Sequence, residues 1–358
     1  MRFVLSRQFT DLPVDRRRWN ALVEETDGGT IFQTHEWCEC WWTAFGHRHQ
    51  LFLITIWDDE SLVGIAPLMI LRRAGLRRLE FIGSSNADYQ DFILGERAAE
   101  LLPLLAHFLF EHRNAWSMMV LRNVPTNSLT FTLLPAAMRS LGLGATDFER
   151  VSCPALELSS HPDEASRLPD SYSFRRRIKQ LRRLGELTFT RCCTPSQVDY
   201  YLPQFFEQYV ERRRGSVAAK LLGRSDIRAF YFALAKSMLP AGWLHFSALE
   251  CAGRPVAFHF GFEFRGRLYW YKPSFDPKLA RYSPGTALLS YLIRDAVERD
   301  LKELDFTVGA EAFKYRYANA QRTNANLRVF RRRWLYMATL GLVRALRICN
   351  RWRRARRQ

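Results

Sequence analysis

Twice in this chain two long apolar runs are separated by only a few polar residues. Leu51 to Trp57 leads through Asp58-Asp59-Glu60-Ser61 into Leu62 to Leu71, and Leu244 to Cys251 leads through Ala252-Gly253-Arg254 into Pro255 to Phe264. Apolar runs around so short a turn are hairpins, so each half of the chain must contain an antiparallel sheet. Each hairpin has similar company. In the first half Trp37 to Phe45 and Ala99 to His112 have helical apolar spacing, and Leu79 to Ile82, Asp91 to Leu94 and Ser117 to Arg122 read as short strands. In the second half the predicted helices are Pro203 to Gly215, Asp226 to Leu239 and Thr286 to Asp300. Arg267 to Pro273 and Glu303 to Val308 are the further strands. The recurrence predicts an α+β protein of two related domains. Cys153-Pro154 and Ser159-Ser160-His161-Pro162 punctuate the join. The expected division is 1–155 and 156–332, with a tail over 333–358.

A chain of 358 residues with 47% hydrophobic and 14% aromatic residues can bury two cores, which excludes global disorder. Its net charge of +17 is concentrated in two places. The segment Arg331 to Gln358 holds ten arginines and no acid, and a second cluster comprises Arg175, Arg176, Arg177, Lys179, Arg182 and Arg183. Without them the chain is close to neutral, so the charge does not describe a general nucleic-acid coat. The seven cysteines have no CxxC or zinc-ligand spacing, which predicts reduced thiols and no metal site. The N-terminus lacks a signal-peptide apolar region, and no run is long enough to span a bilayer; a cytoplasmic protein is expected. From Trp334 onward, apolar and arginine residues segregate at helical spacing. That pattern fits either a packed helix or an interfacial anchor on anionic lipid at the inner face of the membrane.

The chemistry is concentrated between Pro255 and Tyr317. Two strands lead into Arg281-Tyr282-Ser283-Pro284-Gly285-Thr286-Ala287, which opens the amphipathic helix. A Gly-bearing loop at a helix N-terminus presents free N–H groups and the positive dipole end, which suits phosphate. The same residues also suit a plain helix start, with Ser283 as cap and Pro284 first in the helix.

These motifs resemble a known group. Tyr271, Phe275-Asp276, Ser283-Pro284-Gly285, Asp305-Phe306, Gly309 and Phe313-Lys314, with IFQTHEWCECWWTAFG, LVGIAPLMILRR and FIGSSNADYQDFIL earlier, are similar to the CelD/BcsL group of GNAT acetyltransferases. That group, with its BioF-like acetyltransferase domain, is associated with cellulose and exopolysaccharide synthesis and related in fold to the FemAB transferases. The resemblance covers about residues 1 to 332. It implies two tandem GNAT-like domains and acetyl-CoA or another acyl-CoA as donor. The implied acceptor is an amine or hydroxyl of a sugar or envelope precursor. In GNAT enzymes the loop before the central helix reads Gln/Arg-x-x-Gly-x-Gly/Ala and holds the CoA pyrophosphate. Here Arg281, Ser283, Gly285, Thr286 and Ala287 take that place, with one residue more between Arg and Gly.

Acyl transfer needs a base for the nucleophile and an acid for the leaving thiolate. His259 and Glu263 share a strand face and are candidate bases; a sheet histidine and a solvated strand end describe them equally. Asp305, between Leu304 and Phe306, is costly to bury unless paired or functional. The resemblance implies a tyrosine acid after this strand, at Tyr315 or Tyr317. It also implies acceptor contacts at Asp88, Tyr89, Asp91, Tyr271, Asp276 and Lys314. Trp37, Trp41 and Trp42 are expected in the core. The alternatives are a FemAB-like transferase using aminoacyl-tRNA, for which the cluster Arg175 to Arg183 suits RNA phosphates, and a non-catalytic module regulating a polysaccharide synthase.

Overall fold

The computed structural model describes residues 1–73 and 75–332. The tail expected to form a basic helix lies outside them. In chain order the elements are β1 (Arg2–Ser6), α1 (Arg16–Glu25), α2 (His35–Phe45), β2 (His49–Asp58), β3 (Ser61–Arg73), β4 (Leu76–Phe81), α3 (Ala98–Glu111), β5 (Met118–Pro125), α4 (Leu129–Ser140) and β6 (Gly144–Glu157). There follow α5 (Pro162–Arg167), α6 (Tyr172–Arg182), β7 (Leu187–Arg191), α7 (Pro195–Arg212), α8 (Val217–Leu222), α9 (Ser225–Met238), β8 (Leu244–Cys251), β9 (Arg254–Phe264) and β10 (Arg267–Phe275). The last are α10 (Pro284–Glu298), β11 (Glu303–Asp305), α11 (Ala312–Tyr317) and β12 (Ala320–Phe330).

Both predicted hairpins form. β2 pairs antiparallel with β3 from His49↔Leu71 to Asp58↔Ser61, and β8 pairs with β9 from Leu244↔Phe262 to Cys251↔Arg254. The predicted strand Asp91 to Leu94 is reduced to one bridge, Ile65↔Ile93. β11 ends at Asp305 because Pro154, the next residue opposite it in β6, accepts from the Phe306 N–H at 3.0 Å but has no N–H to return the bond.

The described residues form two compact units, one of Met1–Gly29, Arg48–Arg150 and 323–332, the other of Thr30–His47 and Val151–Arg322. The observed units thus exchange segments across the expected linear division. Cys153-Pro154 is no loop either. It lies within β6, where Pro154 lacks a donor but its carbonyl still accepts.

In the first unit the strand order is β1-β2-β3-β4-β5-β12. α3 connects β4 to β5, which pair in parallel through Arg78↔Met118 and Leu79↔Met119. Phe52, Ile54, Leu79, Leu105, Leu121 and Leu327 form part of its core. In the second unit the order is β6-β11-β10-β9-β8-β7, and α10 connects the parallel pair β10 and β11. The recurrence expected from sequence is present: antiparallel strands leading into a parallel pair joined by one helix.

α2 belongs to the second unit for a packing reason. One face of β9 and β10 presents Phe262, Tyr269 and Tyr271, and the rings of Phe32 and Trp37 stand edge-on or tilted against them at centroid distances of 5.6–6.3 Å. Trp37 and Trp41 are buried and Trp42 is half-buried. Each such ring contributes roughly 1.5–3 kcal/mol by leaving water. On the opposite face, α10 packs Ala287, Leu288, Leu292 and Ile293 into the second core with Leu249, Ala257, Leu268 and Trp270.

Candidate active site

The second unit's site begins where β10 and β11 part. They pair only through Arg267↔Glu303, Leu268↔Leu304 and Tyr269↔Asp305. Beyond Tyr269 the register of β10 against β9 shifts before Lys272, which is a bulge. On the other side, Phe306 N–H and Gly309 N–H bond to the β6 carbonyls of Pro154 and Ser152. Only the Thr307 hydroxyl still reaches β10, at 3.3 Å from the Trp270 carbonyl. The two strands therefore splay from one root, leaving an opening beside Trp270 to Phe275.

Asp305 marks that root. One carboxylate oxygen accepts from Thr307 N–H at 2.7 Å and the other from the Arg322 guanidinium at 3.0 Å. Arg322 also binds Glu303. The cost of burying Asp305 is therefore met by a guanidinium and a backbone donor. Beside it, burial pushes the Tyr269 hydroxyl's pKa upward, partly offset by Arg267.

The predicted phosphate loop stands where β10 leads into α10. After β10, the Asp276 carboxylate caps the 3-10 turn Pro277–Tyr282 by accepting from Lys278 N–H at 2.9 Å. Ser283 then adopts the left-handed region, at φ 54° and ψ 54°, as N-cap of α10, with no side-chain capping bond. A non-glycine residue held there is strained, and such strain collects at functional sites. Pro284 has no N–H, and the N–H groups of Thr286 and Ala287 turn back to the Ser283 carbonyl at 3.0 and 3.2 Å. That leaves the Gly285 N–H directed outward at the positive end of the helix. Arg281 is exposed, with its guanidinium 4.7 Å from the Tyr282 ring centre. Arg281, Ser283, Gly285 and Thr286 thus line the helix start, whereas the Ala287 side chain is wholly buried in the core.

The structure separates the other candidates by environment. His259 is wholly buried, stacks on Trp270 at 5.1 Å and places Nε2 3.2 Å from the Tyr269 carbonyl at the bulge. Burial, and then His245, push its pKa well below the ordinary value, so the ring is neutral and braces the bulge from behind. Glu263 is ion-paired with Arg299, which also binds Asp295; Asp295 in turn meets His245 Nε2 at 3.0 Å. Tyr315 is 43% exposed on α11, after β11, and Tyr317 is buried. The Lys314 ammonium is buried, donating to the Val308 carbonyl and meeting Glu311, each at 2.9 Å. It therefore clamps the loop that follows the splay. Tyr271 is buried with its hydroxyl 3.4 Å from that of Tyr231. Asp276 lines a cavity of about 610 Å³ together with Gln204, Gln208, Glu211, Pro255 and Lys278.

Sequence reasoning missed Arg212, whose guanidinium donates to the Pro273 carbonyl at 2.8 Å and lies 4.0 Å over the Phe275 ring. Burial, with Arg213 nearby, pushes its pKa down to about 10. The signal was faint: one arginine in the run Arg212-Arg213-Arg214, at the end of a helix.

Asp88, Tyr89 and Asp91 lie in the first unit. The Asp88 carbonyl accepts from the Asn324 amide at 2.9 Å, and Tyr89 is buried. Burial pushes the Asp91 carboxyl up to about 6, against the hydroxyls of Thr130 and Ser128 and the Phe92 N–H. Its folded pKa exceeds the unfolded value of about 3.9. The folded state therefore holds the extra proton between them, and the resulting stability is full below about pH 4 and lost as pH rises through about 6. Asp91→Asn should remove that slope, up to about 1.4 kcal/mol per pH unit. Urea unfolding from pH 4 to 7 checks it; parallel profiles for the two proteins would refute the assignment.

Cys38, Cys40, Cys153, Cys192 and Cys251 are buried thiols outside any disulfide among the described residues, and Cys193 is exposed. No helix among the described residues is long and apolar enough to cross a membrane.

The fold is similar to the crystal structure of FemX, with a TM-score of 0.66 at 11% identity over 94% of this chain and 99% of that one. It is also similar to a conserved protein of unknown function from Bacteroides thetaiotaomicron (0.57, 12%, 89% and 99%) and to L-PGS from Bacillus licheniformis (0.53, 13%, 92% and 96%). No curated protein matches the chain in sequence. Residues 171–315 match the acetyltransferase (GNAT) domain, a span holding α6, the splayed strands and the start of α10. The matched span lies wholly within the second unit.

Proposed function

We propose that the protein transfers an acetyl or other acyl group from acyl-CoA to an amine or hydroxyl of a sugar or envelope precursor. The observation that carries this reading is the start of α10. An uncapped helix N-terminus, an outward Gly285 N–H and the exposed Arg281 stand beside a strand pair that opens at Tyr269. A phosphate of the donor fits the helix start, and its pantetheine arm fits the splay, where the edge of β10 away from β9 lacks a strand partner. Tyr315, exposed after β11, is the proposed acid toward the leaving thiolate. Asp305 and His259 hold the opening from within, and Glu263 contributes through its pair with Arg299. The cavity at Asp276 supports a polar acceptor, since amides and carboxylates line it as sugar hydroxyls require. Asp88, Tyr89 and Asp91 remain proposed acceptor contacts of the first unit.

Calorimetry with acetyl-CoA tests the reading. Saturable binding that is lost in Arg281→Ala supports it, and no binding by the folded protein overturns it. The likeness to FemX along nearly the whole chain favours a second reading, aminoacyl transfer from tRNA. That reading requires salt-sensitive tRNA binding in place of acetyl-CoA binding.

A further inference from the structure

Among the described residues most arginines of the second unit's other helices have partners. Arg224 pairs with Asp226, Arg228 with Glu207, Arg294 with Asp170 and Arg299 with Glu263. α6 is different. Arg175, Arg176, Lys179, Arg182 and Arg183 are exposed on or just beyond it, and none makes an ion pair or side-chain hydrogen bond there. No acid occurs between Ser171 and Gly185. Their spacing of three and four places them on one side of the helix. The other side is fixed by Phe174 and Leu181, both wholly buried, with Phe174 stacked on Tyr317 at 4.8 Å. The result is a cationic stripe about 12 Å long at 1.5 Å per residue.

Its location narrows the partner. α6 packs along α10 and touches the turn Pro277–Tyr282, so the helix that carries the stripe stands next to the loop assigned above to the donor phosphate. The helix start, for its part, presents a single outward N–H, which suits one phosphodiester better than a pyrophosphate. We propose that α6 docks an acidic carrier protein whose acyl group arrives on a 4′-phosphopantetheine arm, the arm's phosphodiester meeting Gly285 and Arg281. In the transfer the acceptor's N–H or O–H attacks the thioester carbonyl. The C–S bond breaks, and the arm's sulfur leaves as a thiol with the acceptor's proton. An anionic bilayer would match the charge but would not require the charged helix to stand next to the phosphate loop. The inference rests on the acyltransferase reading and names the donor's carrier.

The test measures binding of the full chain to acetylated holo acyl carrier protein and to acetyl-CoA, before and after Arg175→Glu/Arg176→Glu/Lys179→Glu. The carrier-borne thioester should bind more tightly than acetyl-CoA and weaken with salt. The triple variant should weaken it at least fivefold, on the order of 1 kcal/mol, and leave acetyl-CoA binding unchanged. Equal weakening of acetyl-CoA would reassign the stripe to the nucleotide phosphate. A loss seen only with phosphatidylglycerol vesicles or with tRNA would overturn the carrier in favour of a membrane or RNA. Binding of acetyl-CoA without the carrier defeats this inference alone; binding of neither defeats the acyltransferase reading as well.

Discussion

A Gly285→Val variant is expected to bind acetyl-CoA at least tenfold more weakly than the parent, on the order of 1.4 kcal/mol. A Cβ at this position lies 3.2 Å from Cδ1 of Phe275, which is tight, so the ring must yield by a few tenths of an ångström even for alanine. Valine adds two methyl groups beside the outward N–H of the helix start, where the donor phosphate must approach the backbone. The loss separates from instability. Gly285 does not need a positive φ, and valine is a better helix residue than glycine, so the backbone itself tolerates the change. Gly285→Ala should fall between parent and valine. Calorimetry measures the affinities, and urea unfolding verifies the fold. An unchanged Kd in a folded Gly285→Val protein would remove the donor from this loop.

What the sequence could and could not show follows from the range of the forces involved. The hairpins were legible because their apolar runs and turns are local, and observed β2 and β3 extend the predicted runs by only a few residues at each end. The helix opening after Ser283 was legible for the same reason, since Pro284 and the spacing of Leu288, Leu292 and Ile293 are local signals. α7 was read eight residues late. Pro203 looked like a start but lies inside the helix, whose true beginning is the capping box of Thr194 and Gln197. The exchange of segments between units was not legible, because α2 chooses its place by the aromatic face of strands more than two hundred residues away.

The same limit governed the site. Asp305 was recognisable as a carboxylate needing a partner, yet nothing near it in sequence named Arg322. His259 looked like a candidate base because its residue type titrates near neutrality. Its environment, a stack on Trp270 and a carbonyl at Nε2, depends on the β10 bulge and is invisible in a linear pattern. Ser283 and Pro284 were read correctly as a helix start, but that the serine leaves its hydroxyl out of the cap is a matter of its left-handed backbone.

The largest expected effect on stability is at Arg322. Its guanidinium reaches Glu303 at 2.7 Å through one nitrogen, and Glu303 and Asp305 through the other, the latter at 3.0 Å. Both carboxylates are buried, at 6% and 2% exposure, in the strand from which the splay begins. Arg322→Met would fill much of the space but leave two buried acids without their cation, a change that costs about 3–5 kcal/mol. Arg322→Lys should lose less, though it should not match the parent, because one ammonium cannot present the planar fork that spans both acids. The sign of the pH dependence is diagnostic. Unpaired burial raises a carboxylate's folded pKa, so the methionine variant should be closest to the parent in acid and fall further behind as pH rises. Adding Glu303→Gln and Asp305→Asn to Arg322→Met should recover most of the loss and flatten that slope. Urea midpoints at pH 5 and pH 8 for the four proteins measure all of this. If Arg322→Met unfolds at the parent's midpoint at pH 8, the two acids do not depend on Arg322, and the root of the splay must be held by Thr307 and the strand pairing alone.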